Sequence, residues 1–103
     1  MSWEVEFIDA AMRDMRKLDG SQRALVLKAI ERVRKDPTAE GHGKPLGNKG
    51  GADLVGLFKI KLCKSGIRVV YQLVEVDGVM RIVVVGMRTD GEVNREAARR
   101  LGR

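Results

Sequence analysis

Lysine and arginine can hold and stabilise an anion without help from a metal, and this chain concentrates them in one short stretch. Lys59, Lys61, Lys64 and Arg68 follow one another with no acid between Phe58 and Arg68. The apolar residues between them alternate. That alternation predicts a strand with Lys59, Lys61 and Cys63 on one face and Phe58, Ile60 and Leu62 on the other. Ser65-Gly66 reads as a two-residue hairpin turn. In that register Lys64 pairs with Ile67, Cys63 with Arg68, Lys61 with Val70 and Lys59 with Gln72. Lys59, Lys61, Arg68 and Gln72 then share one face, while Phe58, Ile60, Leu62, Val69, Tyr71 and Leu73 share the other. A turn one residue longer mixes the two faces, and register is normally set against such mixing.

Converging cations repel one another. The repulsion favours a bound anion, and it eases loss of a lysine proton to general-base work. The same spacing also suits a solvated lysine-rich face that protects a sheet edge. Other chemistries have thin support. His42 is the only histidine and stands in a glycine-rich stretch, where a surface role is commonest. Ser21 and Ser65 read as cap and turn residues. Cys63 has cations nearby but no histidine partner, so a packed or edge thiol is expected. Acids are scarce around the hairpin, which argues against a nuclease built on metal-binding carboxylates.

The elements that must position these residues can be read from periodicity. Trp3, Val5 and Phe7 alternate with Glu4 and Glu6 as in a half-buried strand. Asp9 offers an N-cap, and Ile8, Ala11, Met12, Met15 and Leu18 follow at helical spacing. Asp19-Gly20-Ser21 ends that helix and caps a second, whose stripe is Val26, Ala29, Ile30 and Val33 and which Asp36-Pro37 ends. The short link predicts an antiparallel helical hairpin. Residues 38–52 hold five of the twelve glycines and read as a connector. They do not form a phosphate loop, because no Lys-Ser or Lys-Thr follows at the required spacing. Leu54–Leu62, Ile67–Val76 and Val79–Met87 read as three strands, with Asp77-Gly78 as the second hairpin turn. Pairing across it puts Val83 and Val85 on the face of Lys61 and Val70. Something must cover that apolar patch. The last helix is the candidate, opened by a capping box of Thr89 and Glu92 and carrying Val93, Ala97 and Leu101.

The 103 residues, 44% apolar but only 4% aromatic, predict one domain (1–103) of α+β class with one modest aliphatic core. The order is strand, helix, helix, three-strand antiparallel meander, helix. A net charge of +6 suits a polyanionic partner. A single cysteine excludes an internal disulfide. No signal peptide or membrane span is read, so a cytoplasmic location without membrane association is expected.

Lys-Ile-Lys-Leu at 59–62, Ser65-Gly66, Arg68-Val69-Val70-Tyr71-Gln72, Val85-Gly86-Met87-Arg88 and Glu92-Val93 together resemble the RelE toxins of bacterial type II toxin–antitoxin systems. So does the strand-helix-helix start ending in Arg16-Lys17-Leu18. The resemblance covers nearly the whole chain, apart from a longer glycine-rich loop. It implies the microbial-RNase-like RelE fold and a ribosome-dependent endoribonuclease that cuts mRNA in the decoding site. There the ribose 2′-hydroxyl attacks the adjacent phosphate without a metal or cofactor. It implies catalytic roles for Lys59 and Lys61 at the hydroxyl and phosphate, and for Arg68 and Arg88 at the transition state. Arg88 rests on the resemblance alone. Gln72, Asn94 and Lys64 are the added candidates for substrate contact. The implied partners are the ribosome, mRNA and an acidic RelB-like antitoxin in a hetero-oligomer, the antitoxin covering the basic face or displacing residues 90–103.

Two positions depart from the family pattern. Asn94 stands where a base-stacking tyrosine is usual, while Tyr71 matches a different, strand tyrosine expected in the core. Stacking contributes ~1–3 kcal/mol per base, so the expectation is either cleavage slower by roughly one or two decades or a base held in a different way. Met87 stands where a basic residue is frequent. These departures leave room for two alternatives: a ParE-type inhibitor of DNA gyrase on the same fold, and a degenerate toxin that binds only antitoxin or ribosome.

Overall fold

The fold is built on a strand order in which neighbours in sequence are mostly neighbours in space. The computed structural model describes residues 3–39, 42–49, 52–62 and 64–103. The elements are β1 (Glu4–Phe7), α1 (Asp9–Arg16), α2 (Gly20–Val33), β2 (Lys44–Lys49), β3 (Ala52–Leu62), β4 (Ile67–Val74), β5 (Val79–Gly86) and α3 (Asp90–Arg100). The five strands form one sheet in the order β1-β5-β4-β3-β2. β1 runs parallel to β5, and the other pairs are antiparallel. This is the α+β architecture expected, with one strand more. Among the described residues no helix is long and apolar enough to cross a membrane.

The extra strand is β2, inside the stretch expected to be a connector. It is an edge strand, where Pro45 leaves no ladder bond unmade. Gly47, at φ 59°, adjoins a bulge against β3. Its one large apolar side chain, Leu46, is buried with the residues beneath α3. Strand signals were diluted by glycine, and Leu46 alone carries the pattern.

The sheet divides the core in two, rather than leaving the single core expected from length. On one face Ile60, Val69, Tyr71, Ile82 and Val85 meet Ala11 and Met15 of α1, Leu18 after it, and Val26, Ile30 and Val33 of α2. On the other, Leu54, Leu57, Val70, Val83 and Val84 meet Val93, Ala97 and Ala98 of α3. The last helix therefore covers the patch it was expected to cover. Tyr71 is fully buried as expected; its hydroxyl donates to the Pro37 carbonyl at 2.7 Å, and its ring stacks on Phe58 at 5.4 Å. Gly43 lies so close to that hydroxyl that a Cβ there would sit 1.7 Å from it.

Both hairpins differ in register from the two-residue turns expected. Leu62 faces Ile67, Lys61 faces Arg68 and Lys59 faces Val70. Val74 faces Val79. Each turn is thus longer by two residues, with Gly66 and Gly78 at positive φ closing them. An even change keeps every side chain on its face, so Lys59, Lys61, Arg68 and Gln72 still share one. The expected pairing of Cys63 with Arg68 is excluded, because Arg68 faces Lys61; Cys63 itself lies outside the described residues.

A bulge in β5 overturns a second expectation. Tyr71 faces Ile82 but Val70 faces Val84, which leaves Val83 as the extra residue. Val83 and Val84 both turn to the α3 side, while Val85 turns to the α1–α2 side, opposite to its expected face. Asp9 is likewise not a cap. Ile8 still donates its N–H to Ile82 in the sheet, so the chain leaves the sheet there, and Asp9 becomes the first helical residue. The two other expected caps hold: Asp19 and Thr89 each form a capping box, with Gln22 and Glu92.

β1 pairs only as far as Ile82. Beyond it the β5 edge is satisfied by side chains. Asp14 of α1 accepts the Val85 N–H at 3.0 Å, and Arg100 of α3 donates to the Val83 carbonyl at 2.8 Å. Arg100 and Asp14 also form a bidentate pair, at 2.7 and 3.1 Å, with both side chains under a tenth exposed. Arg100→Ala would leave a buried carboxylate unpaired. We expect a stability loss of about 3–5 kcal/mol, measured by urea unfolding. A loss within the range of a surface ion pair, below about 1 kcal/mol, would show that the clamp is not structural.

Candidate active site

β3 and β4 carry Lys59, Lys61 and Arg68 side by side on the α3 face, and the first turn of α3 arrives over them. The capping box fixes that turn: the Thr89 hydroxyl accepts the Glu92 N–H, and Glu92 reaches back to the Thr89 N–H. Asp90 is the first helical residue, where a negative charge suits the helix dipole. Its carboxylate meets three cations at once. Oδ1 lies 2.7 Å from Arg68 Nε and 3.1 Å from Lys59 Nζ, and Oδ2 lies 3.0 Å from Lys61 Nζ. These contacts hold the Asp90 carboxyl far below the usual carboxylate range, Lys61 contributing most, then Lys59 and Arg68.

The three cations differ in setting. Lys59 is buried, only 7% exposed, and also donates to Asn94 Oδ1 at 3.0 Å. Lys61 is half exposed at the rim. The Arg68 guanidinium is fixed from behind, donating through Nη1 to the carbonyls of Gly66 and Arg88 at 3.1 and 2.8 Å. Such a group needs little reorganisation to bind an anion. Three positive charges against one negative leave the cluster net positive, so it still attracts anions. The mutual repulsion expected from sequence is offset by Asp90.

The other candidates lie further out. Arg88 follows β5, and its side chain turns to Glu96 of α3 at 3.5 Å; only its carbonyl touches the cluster. Lys64 is exposed in the turn, beside a shallow depression it shares with Lys61. Gln72 shares the face of the cations but accepts from Arg81 at 3.4 Å, away from them. His42 stands apart and donates through Nδ1 to the Asp36 carbonyl at 2.8 Å. Among the described residues no group of histidine, cysteine and acidic side chains could hold a metal.

Two acids central to this region escaped the sequence reading. Asp90 lies between the two residues of the expected capping box and was given no role of its own, and Glu96 was not singled out. The available signal was their place: acids on the one helix expected to cover a basic face. Glu96 gathers Arg88, Arg99 and Arg100. Its carboxyl falls from 4.5 to about 2, with Arg99 the largest cause and Arg100 next.

With that geometry established, comparison with known proteins is decisive. No protein-family model matches the chain. The mRNA interferase toxin RelE of Escherichia coli K12 is 32% identical over 101 residues, covering 98% of this chain and 99% of that protein. The chain belongs to the RelE toxin family. A free E. coli RelE with two arginines replaced by alanine superposes with a TM-score of 0.80 at 31% identity, over 98% of this chain and 99% of that one. The toxin in the intact E. coli RelBE toxin–antitoxin complex matches with a TM-score of 0.70 at 28% identity, over 85% and 99%. The RelE fold is therefore shared across nearly the whole chain.

Acid should loosen α3 first. Both Asp90 and Glu96 have folded pKa values below their unfolded ones, so each adds stability above the ordinary carboxylate range and loses it as pH falls towards its folded value. We expect a melting temperature that drops as pH goes from 4.5 towards 2. In Glu96→Gln the drop over that window should be shallower; an identical slope would remove Glu96 from the account.

Proposed function

We propose that this chain is the toxin of a type II toxin–antitoxin pair and an endoribonuclease that cuts mRNA in the decoding site of the ribosome. The observation that carries the reading is the cluster of Lys59, Lys61 and Arg68, fixed on a rigid sheet and gathered on one anionic group. Membership of the RelE family supports it, since the E. coli relative is an mRNA interferase. The reaction needs no metal. The 2′-oxygen attacks the adjacent phosphorus, the bond from phosphorus to the 5′-oxygen breaks, and a 2′,3′-cyclic phosphate remains. One proton leaves the 2′-hydroxyl and one reaches the departing 5′-oxygen. Charge grows on the phosphate oxygens at the transition state, and Arg68 and Lys61 lie where fixed cations would stabilise it. Arg guanidinium suits paired phosphate oxygens, and Lys59 and Lys61 are the lysines placed to serve the hydroxyl. Arg88 enters if its side chain leaves Glu96.

The partner is an acidic antitoxin, as the RelBE complex of the relative supports, and the assembly is a hetero-oligomer in the cytoplasm. Gyrase inhibition keeps one specific support: Asn94 bonds Lys59 instead of offering a stacking ring.

Lys61→Ala and Arg68→Ala should each slow cleavage of ribosome-bound mRNA by about 10²–10³-fold, the usual loss for one fixed transition-state donor, and should relieve growth arrest. Primer extension after induction checks this. Codon-phased breaks that persist in folded variants would refute the site, and DNA damage without such breaks would move the target to gyrase.

A further inference from the structure

The cation cluster is never shown without an anion: the structure fills it from within. We propose that Asp90 is an internal stand-in for an RNA phosphodiester, so that substrate binds by exchange, its phosphate displacing the Asp90 carboxylate from Lys59, Lys61 and Arg68. The inference rests on the nuclease reading for the identity of the anion as RNA, but the exchange itself concerns binding and can be tested without cleavage.

The geometry favours exchange over the other roles an acid might have there. A carboxylate and a phosphodiester each offer a pair of anionic oxygens to a cationic fork. Asp90 uses both of its oxygens on the cations, at 2.7 to 3.1 Å. A general base needs a free lone pair and a pKa near the working pH; the three cations deny it both. The contacts are also open to solvent, the Asp90 side chain being 42% exposed and that of Lys61 50%. An incoming anion can therefore approach from solvent and take the contacts one by one. Lys59 is the constraint that makes this an exchange. It is buried, and a buried ammonium needs a charged or hydrogen-bonding partner at all times. Asp90 and Asn94 supply that partner at rest, and the phosphate would replace the first of them.

α3 does not have to leave for this to happen. Its far end is held by Arg100 on Asp14, while Asp90 belongs to its first turn, where rotation of one side chain suffices. The carboxylate is thus a threshold on phosphate affinity in the free toxin, set by the protein's own charge.

The test measures binding of a short 2′-O-methyl RNA, which cannot be cleaved, by fluorescence anisotropy at low salt. Asp90→Asn keeps the shape and removes the charge. It should bind roughly tenfold more tightly, the scale expected when part-exposed ion pairs no longer compete. Adding Lys61→Ala to Asp90→Asn should erase most of the gain. Asp90→Ser, which also suits a helix start, is the second variant should the first fail to fold. Affinity equal to or weaker than that of the unaltered chain in a folded variant overturns the proposal. Independently, the Asp90 carboxyl carbon of the unaltered protein should shift in NMR as inorganic phosphate is titrated in; a constant shift at saturating phosphate overturns it too. Tighter RNA binding by Asp90→Asn with no cleavage on ribosomes by any variant would leave the exchange standing and remove the nuclease reading. Cleavage by the unaltered chain with no gain from Asp90→Asn would do the reverse.

Discussion

The bulge at Val83 is the constraint from which the rest of the molecule follows. One extra residue in β5 turns Val83 and Val84 to the same side of the sheet. That widens the apolar patch on which α3 sits, and it swings Val85 into the opposite core. Beyond Ile82, where the pairing with β1 ends, the edge of β5 keeps backbone groups that β1 does not meet. Asp14 and Arg100 satisfy those groups, and in doing so they pair with each other. A buried ion pair is not a strong source of stability by itself. Its value here is placement: it ties α1, β5 and the end of α3 to one point, so the start of α3 can land only over the cations.

That landing resolves an electrostatic conflict. A sheet face with a buried lysine, a second lysine and an arginine is unfavourable without a counter-ion. The capping box sets the first turn of α3, and Asp90 then reaches all three cations. The same helix carries Glu96, which collects three arginines, one of them Arg100 of the clamp. α3 carries three acids and three arginines between Asp90 and Arg100, and it is attached by two of its acids. Its apolar face, Val93, Ala97 and Ala98, supplies the burial; the carboxylates supply the orientation.

Much of this was legible in the sequence, for reasons of symmetry. A strand repeats every two residues, so a turn misjudged by two residues still assigned Lys59, Lys61 and Arg68 to the correct face. Amphipathic stripes and capping boxes are local, and Val26, Ala29, Ile30, Val33, Asp19 and Thr89 were found where expected. The failures share a different cause. The bulge at Val83 breaks period two inside an uninterrupted valine run, where no residue type marks it. β2 is an edge strand written in glycine and proline around Leu46. Asp90 acts across the fold on Lys59, Lys61 and Arg68, and local patterns carry no record of partners twenty or more residues away; Glu96 pairs with Arg99 and Arg100 at ordinary helical spacing, a local signal that was open to reading.

Asn94 joins these points to the chemistry. The resemblance read from the sequence implied a tyrosine there, and on that reading alone Asn94 means a loss of stacking, ~1–3 kcal/mol per base. The structure gives the residue a task of its own, because its amide oxygen accepts from Lys59. With Asp90 it forms a polar seat that keeps a buried lysine satisfied. A tyrosine at 94 has no carbonyl oxygen to offer that ammonium; its hydroxyl would have to reach it instead. Asp90 and Asn94 thus belong together: one supplies the negative charge that the cation cluster requires, the other a neutral hydrogen bond to the same buried lysine.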